Sequence, residues 1–349
     1  MSIAAFDHPF LSGLLGDDEV AALLSVDADI RAMLTFEAAL ARAEGGRGLI
    51  PTASAERIAE VCATFAPDIA LLKQATATDG VVVPELVRQL RQAVGGAAAA
   101  HVHVGATSQD VIDSSLVLCL KTVFSLFAGR IDDLILKLDG LDESFGGQPL
   151  MGRTRMQAAI PITVSDRLRS WRAPFVQERE RLAHQILPLQ FGGAAGTLEK
   201  LGAEADAVRT LIAQDLGLAD TPQWQSQRGF VADIGHLLSL ITGAAGKMGQ
   251  DIALLAQGGD EIALSGGGAS SAMPHKQNPV AAETLVALAR FNAVQVSALY
   301  QSLVHEQERS GAAWTLEWLI LPQMVMATAA SLRLSLQMLD TIARLGAKA

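Results

Sequence analysis

The stretch Ser265-Gly-Gly-Gly-Ala-Ser-Ser-Ala-Met-Pro-His-Lys-Gln-Asn-Pro279 gathers hydroxyls, a cation and an amide between two apolar helical patterns. Its glycines make a regular helix costly, because each gives up more backbone freedom than alanine would. That composition suits a mobile loop that closes over a substrate, although it is also ordinary turn chemistry. A second polar cluster, His101-Val-His103-Val-Gly-Ala-Thr-Ser-Gln-Asp110, precedes the longest apolar repeat. Thr107, Ser108 and Asp110 suit a helix start, and such a start can hold an anion beside a histidine that exchanges protons. Zinc is a poor fit to His101 and His103, since nothing near them has metal-ligand spacing.

Three further clusters carry weaker signals. Gly152-Arg-Thr-Arg-Met-Gln157 places two guanidinium groups with Thr154 and Gln157 at a break between long helices, where they form either a solvated face or a carboxylate receptor. Gly192-Gly-Ala-Ala-Gly196 lacks the Lys-Ser/Thr ending of a phosphate loop, so close backbone packing is its expected role. His305-Glu306-Gln-Glu-Arg309-Ser310 ends a long helical pattern, as a solvated terminus or with His305 and Glu306 as a polarised pair.

The elements that must position these groups are helices. Ile30, Met33, Leu34 and Leu40 have helical spacing, with Glu37 and Arg42 expected on the wetter side, and Gly45-Gly46 and Pro51 end the helix. Ala53–Phe65 and Pro84–Gln92 form two more helices, with Thr76–Gly80 as a loop before the second. Leu116, Leu120, Val123, Phe127, Ile131, Leu134, Leu138 and Leu141 recur at threes and fours, which makes one long helix with a seam for packing on others. Gly146–Pro149 breaks it. Further patterns cover Ile162–Gln185 with a kink at Pro174, Ala203–Leu216, Val231–Ala256, Val280–Gln307 and Ala313–Leu345. The expected fold is all-α: an elongated helical bundle over 109–349, with a smaller N-terminal helical domain over 1–108. No strand–helix alternation supports a parallel sheet.

Composition narrows the function class. The 349 residues are 50% hydrophobic and 5% aromatic, so a large core is available, and alanine and leucine favour helix. A net charge of −10 argues against a nucleic-acid surface or an anionic membrane. Cys62 and Cys119 lie inside apolar helical patterns, as packing residues. Without a basic segment leading into an apolar run, and with charges interrupting the apolar stretches, a soluble cytoplasmic protein is expected.

Together the polar clusters resemble the fumarase/aspartase superfamily. Ala269–Pro279 matches its signature Gly-Ser-Ser-x-Met-Pro-x-Lys-x-Asn-Pro, with Ala269 in place of the first glycine. Thr107-Ser108-x-Asp110, Gly152–Gln157 and His305-Glu306 match further blocks in the same chain order, so the likeness covers nearly the whole chain. The resemblance implies a helical homotetramer whose active sites are shared between subunits, with no cofactor and no metal. It implies Ser270 as the catalytic serine that moves a proton on carbon, and His103 as a proton donor like that of adenylosuccinate lyases. It implies Thr107, Ser108, Ser271, Lys276 and Asn278 as groups that bind substrate carboxylates, with Arg153, Thr154, Arg155, Gln157, Arg228 and His305 completing the set.

One departure sharpens the expectation. Many members carry Gly-x-Thr-His-x-Gln where this chain has Arg155 in the histidine's place. An arginine cannot shuttle protons near neutrality, so Arg155 is expected to bind an additional carboxylate. With Leu187–Thr197, Gln227-Arg228 and His305–Trp314, this resembles the cycloisomerase branch, which closes a ring in a tricarboxylate. An adenylosuccinate-type lyase is the alternative, supported by His103 and Met-Pro-His-Lys but opposed by Arg155. A catalytically silent assembly protein of this scaffold is a third. Members of the superfamily usually continue into a small third helical domain after the last long helix, and a shortened form is the expectation here.

Overall fold

The computed structural model describes residues 4–269, 273 and 277–347. Helices α1 (Ser12–Leu15) and α2 (Asp18–Leu23) lead into α3 (Val26–Gly46). Asp17 and Ser25 open α2 and α3 by accepting the N–H groups of Val20 and Ala28, donors that no helical carbonyl can reach. Helix α3 packs on α4 (Thr52–Thr64), and α6 (Val83–Val94) contacts both α4 and α5 (Ile69–Asp79). The expected loop at Thr76–Gly80 is instead the last turn of α5. The Thr76 hydroxyl returns to the Leu72 carbonyl at 2.8 Å, and the left-handed Gly80 (φ 74°) stops the helix.

The long apolar repeats form the bundle. Helix α7 (Ser108–Phe145) packs on α3, α8 (Val164–Ala183) and α12 (Gly311–Asp340), and α9 (Ala205–Leu216) covers α3. Helix α10 (Gly229–Gly258) lies between α8, α11 (Val280–Gln301) and α12. The seam of α7 is buried as its spacing requires, with Leu120, Val123, Phe127, Ile131, Leu134 and Leu138 all enclosed. Burying each such side chain stabilises the fold by about 1.5–3 kcal/mol. Where small residues face one another the helices approach closely: a Cβ on Gly246 would lie 2.5 Å from the Ala289 side chain. Helices α7, α10 and α12 are also long and apolar enough to cross a membrane by length and composition, a property the sequence reading had not expected; half or more of each apolar window is buried within the bundle.

The bundle has two distinct ends. One holds the starts of α7, α10 and α12, joined by ion pairs of Arg228 with Asp113 and Glu317. The other holds their finishes and the starts of α8 and α11, where Lys137 pairs with Asp340. A 30-residue helix is roughly 45 Å long, which sets the distance between the ends.

Short antiparallel strand pairs decorate the second end. They are β1 (Pro149–Thr154) with β2 (Gln157–Thr163), β3 (Ile262–Leu264) with β6 (Ile342–Leu345), and β4 (Gly268–Ala269) with β5 (Gln277–Asn278). Gly152–Gln157 lies at the expected break between two long helices, α7 and α8, and is shaped there as a hairpin. Two expectations about helix ends are corrected. The last helix stops at Asp340, because 342–345 satisfies its backbone on β3. Helix α11 stops at Gln301, which leaves His305-Glu306 in a loop rather than on a helix end.

Candidate active site at the two ends of the bundle

At the first end, Thr107 is the N-cap of α7 and Ser108 its first residue. Asp110 is fully buried behind them. One of its carboxyl oxygens accepts from Gly192 N at 2.8 Å and Gln190 Nε2 at 3.0 Å; the other accepts from Thr107 N and Gly193 N, both at 3.0 Å. Burial raises its pKa to about 6 against the pull of those donors, so it is ionised at neutral pH. The glycines at 192 and 193 do pack closely, as their sequence suggested: a Cβ on Gly192 would lie 2.8 Å from Gln225 Oε1. Arg309 reaches the same helix start, donating from Nε to Gln109 Oε1 at 2.8 Å and from Nη2 to the Thr107 hydroxyl at 3.3 Å. A guanidinium beside the positive end of a helix dipole makes this place attractive to a carboxylate.

His103 stands next to that helix start with φ 62°, a left-handed conformation that costs a non-glycine residue about 1–2 kcal/mol. Its Nδ1 lies 2.6 Å from Glu37 Oε1 of α3. Burial alone would lower the histidine's pKa, but the charge and hydrogen bond of Glu37 outweigh it, and the net shift is upward.

Arg228 departs from its expected contact with substrate. Its side chain is wholly buried; it gives two hydrogen bonds to Asp113 and two to Glu317 and stacks on Trp224 at 4.5 Å. Trp314 Nε1 and Gln109 Nε2 also donate to Asp113, at 3.0 and 3.1 Å. The group therefore clamps three helix starts and holds Gln109 against Arg309. His305 is drawn into this cluster: its Nδ1 accepts from Ser310 N at 3.3 Å, and its Nε2 faces Glu317 at 4.0 Å. The carboxylate closest to the imidazole is thus Glu317 and not the expected Glu306, whose side chain bonds Ser310. Burial and the Arg228 charge lower the His305 pKa, leaving a neutral ring.

The second end holds the other candidates. Arg155 and Met156 form the two-residue turn of the β1–β2 hairpin, with φ 48° and 66°. Arg153 is paired to Glu261 at 2.7 Å, while Arg155 has no hydrogen bond or ion pair among the described residues. A cleft of about 630 Å³ lies between the hairpin and the end of α10, lined by Arg153, Arg155, Arg167, Gln250, Asp251 and Glu261 among others. Thr154 and Gln157 flank the turn, and Asn278 lies on β5, where it lines a separate cleft with Leu264, Gly266 and Pro279. Ser270, Ser271 and Lys276 fall outside the described residues. Around them, a Cβ on Gly267 would meet Gln277 at 2.9 Å and one on Gly268 would meet Val280 at 2.4 Å. Those two glycines serve close packing at the loop's base, whereas Gly266 takes a left-handed φ of 86° that favours glycine.

Asp113 and Glu317 were missed by sequence reasoning, Arg309 was seen only as part of a polar helix end, and Glu37, expected on the wetter side of its helix, is instead buried against His103. One signal was available: Asp113 falls in phase with the apolar seam, seven residues before Leu120, and a charge on a core face demands a buried partner.

The comparisons with known proteins agree with this architecture. A lyase family model matches residues 18–295. The chain is 39% identical over 322 residues to a 3-carboxy-cis,cis-muconate cycloisomerase of Pseudomonas aeruginosa, covering 89% of this chain and 70% of that protein. It is 35% identical to the cycloisomerase of Acinetobacter baylyi, covering 92% and 74%. The crystal structure of the 3-carboxy-cis,cis-muconate lactonizing enzyme of Pseudomonas putida superposes with a TM-score of 0.90 at 32% identity, covering 96% of this chain and 77% of that one.

Proposed function

The chain belongs to the fumarase/aspartase superfamily of lyases, and we propose that within it the protein is a cycloisomerase that closes 3-carboxy-cis,cis-muconate into its lactone. The observation of this chain that supports a tricarboxylate substrate is Arg155, a guanidinium at a strained hairpin tip with no partner among the described residues. In the reaction one carboxylate oxygen bonds to a carbon of the double bond. The π pair moves toward the neighbouring carboxylate to give an aci-anion, and a proton then bonds to carbon. The attacking carboxylate's charge passes into the aci-anion and is met there by the proton, so the trianion takes up one proton from solvent, relayed by the enzyme's own groups, and leaves as a dianionic lactone. Holding the two ends of one substrate together provides proximity.

In this reading Thr107, Ser108 and Arg309 bind a carboxylate at the start of α7, and His103 exchanges the proton. Arg153, Arg155, Gln157 and Asn278 bind at the other end, with Ser270, Ser271 and Lys276 of the signature loop completing the charge stabilisation and delivering the proton to carbon. Arg228 and His305 hold the first end in shape. Thr107 and Arg155 lie about a helix length apart in one chain, which supports a site that combines ends from different copies in a homotetramer; the net charge of −10 fits a soluble, cytoplasmic setting for it.

The experiment is direct. Purified protein incubated with 3-carboxy-cis,cis-muconate removes the conjugated-diene absorbance and yields the lactone. Lack of turnover there, with fumarate released from adenylosuccinate instead, would overturn the assignment.

A further inference from the structure

Helix α3 presents two buried carboxyl groups on one face, Glu37 and Glu44, seven residues and therefore two turns apart. Glu37 is 1% exposed and Glu44 is fully enclosed. Oε2 of Glu37 and both carboxyl oxygens of Glu44 have no hydrogen-bond partner among the described residues. Most buried polar groups are paired, so three orphaned carboxyl oxygens on one helix face call for a reason. Glu37 lies beside His103, whose Nδ1 is 2.6 Å away, and Glu44 lies two turns further along α3, where it feels the Glu37 charge.

We propose that Glu37 is the positioning residue for His103, holding Nδ1 protonated so that Nε2 serves the site, and that Glu44 is a neutral buried acid which leaves Glu37 the charged member of this α3 pair. The proposal rests on the reading of His103 as the proton-exchanging group. The hydrogen bond made by one ring nitrogen fixes which state the other presents. A carboxylate at Nδ1 holds the ring in place and stabilises the imidazolium once Nε2 has taken a proton. When Nε2 gives that proton up, the Nδ1 proton stays on the Glu37 hydrogen bond.

Charges from every packed element bear on the pocket. Glu37 of α3 and Asp110 of α7 favour the charged imidazole, and Arg91 of α6 opposes it. Burial first, and the Glu37 charge second, push Glu44 up to about 8. Burial and the same charge push the Cys62 thiol of α4 up to about 12 against Arg42 and Arg31. A second ionised carboxyl on this face would meet Glu37 across a dry interior, so one proton in the pair is the low-energy state.

The test uses the full chain with isotopically labelled histidine. In the wild type, nitrogen chemical shifts are expected to show His103 protonated on Nδ1, with a titration midpoint above that of an ordinary histidine. Glu37→Gln is expected to lower that midpoint by about 1–3 pH units. It should also lower kcat about 10- to 100-fold with KM little changed. Infrared difference spectra of wild type against Glu44→Gln should show one protonated carboxyl band at neutral pH, lost as the pH passes about 8. An Nε2-protonated neutral ring in the wild type, or an unmoved midpoint in folded Glu37→Gln, would overturn the positioning role. Should Glu37→Gln not fold, the wild-type nitrogen shifts alone decide. Absence of the carboxyl band would overturn the role of Glu44. These spectra need no turnover, so a chain inert toward the tricarboxylate would refute the proposed function and leave this inference to its own readouts.

Discussion

Glu44 and Arg228 are both enclosed by the protein, and they meet the cost of a buried charge in opposite ways. Arg228 keeps its charge, because Asp113 and Glu317 receive four hydrogen bonds from it. Removing one member of such a group leaves an uncompensated charge, so its role is felt as rigidity of three helix starts rather than as contact with a reactant. Glu44 has no partner and takes a proton instead. Its folded pKa of about 8 lies above the ordinary value of 4.5. Between those values the folded chain binds a proton that the unfolded chain has released, so this contribution is full below about pH 4.5 and is lost as the pH rises to about 8. Glu44→Gln cannot ionise. Relative to wild type, its unfolding free energy is expected to improve by up to about 1.4 kcal/mol per pH unit between about pH 5 and 8. Urea titrations at intervals across that range check this, and parallel curves for the two proteins would refute it.

Among the elements, the β1–β2 hairpin carries the sharpest trade between stability and function. Two-residue turns with both φ values positive favour Asn-Gly, yet Arg155 and Met156 occupy this one. Replacing Arg155-Met156 by Asn-Gly is expected to raise stability by about 1–2 kcal/mol per relieved residue. The same change should raise KM for the tricarboxylate about 10- to 100-fold, the worth of one hydrogen bond to a charged group. Denaturation midpoints and steady-state kinetics on one preparation measure both, and an unchanged KM would remove Arg155 from the binding set. This hairpin also marks where the sequence stopped being legible. Helices α3, α4, α6, α7, α8, α9 and α10 were readable because an apolar face repeats every three or four residues, and Thr107-Ser108 was readable as a helix start. Strands of two to seven residues have no such period; β3 meets β6 only because the chain returns to it at Ile342. For the same reason His305 could be matched with its neighbour Glu306 but not with Glu317, and His103 not with Glu37, a contact across 66 positions.

At the scale of the whole molecule, the bundle separates the residues that the proposed reaction would use. His103, Thr107 and Arg309 sit at the starts of the long helices, whereas Arg155 and Asn278 sit where α10 finishes and α11 begins. Between the ends the helices leave Leu136, Val294 and Leu319 well exposed on α7, α11 and α12. Apolar side chains along the length of a rigid bundle are a surface on which further copies can pack in alternating directions. Such packing would bring opposite ends together without bending any helix.

The distance between the ends has a genetic consequence. If a working site takes its histidine end from one copy and its arginine end from another, two differently damaged chains can repair each other. His103→Ala and Arg155→Ala proteins, each nearly inactive alone, are expected to recover about a quarter of the wild-type sites when unfolded together in equal amounts and refolded as mixed assemblies. The recovered rate, compared with that of the two variants refolded apart, is the measurement; equal rates would mean that each chain builds its sites alone. An organism carrying the two damaged alleles would then grow on a substrate that neither allele alone permits it to use.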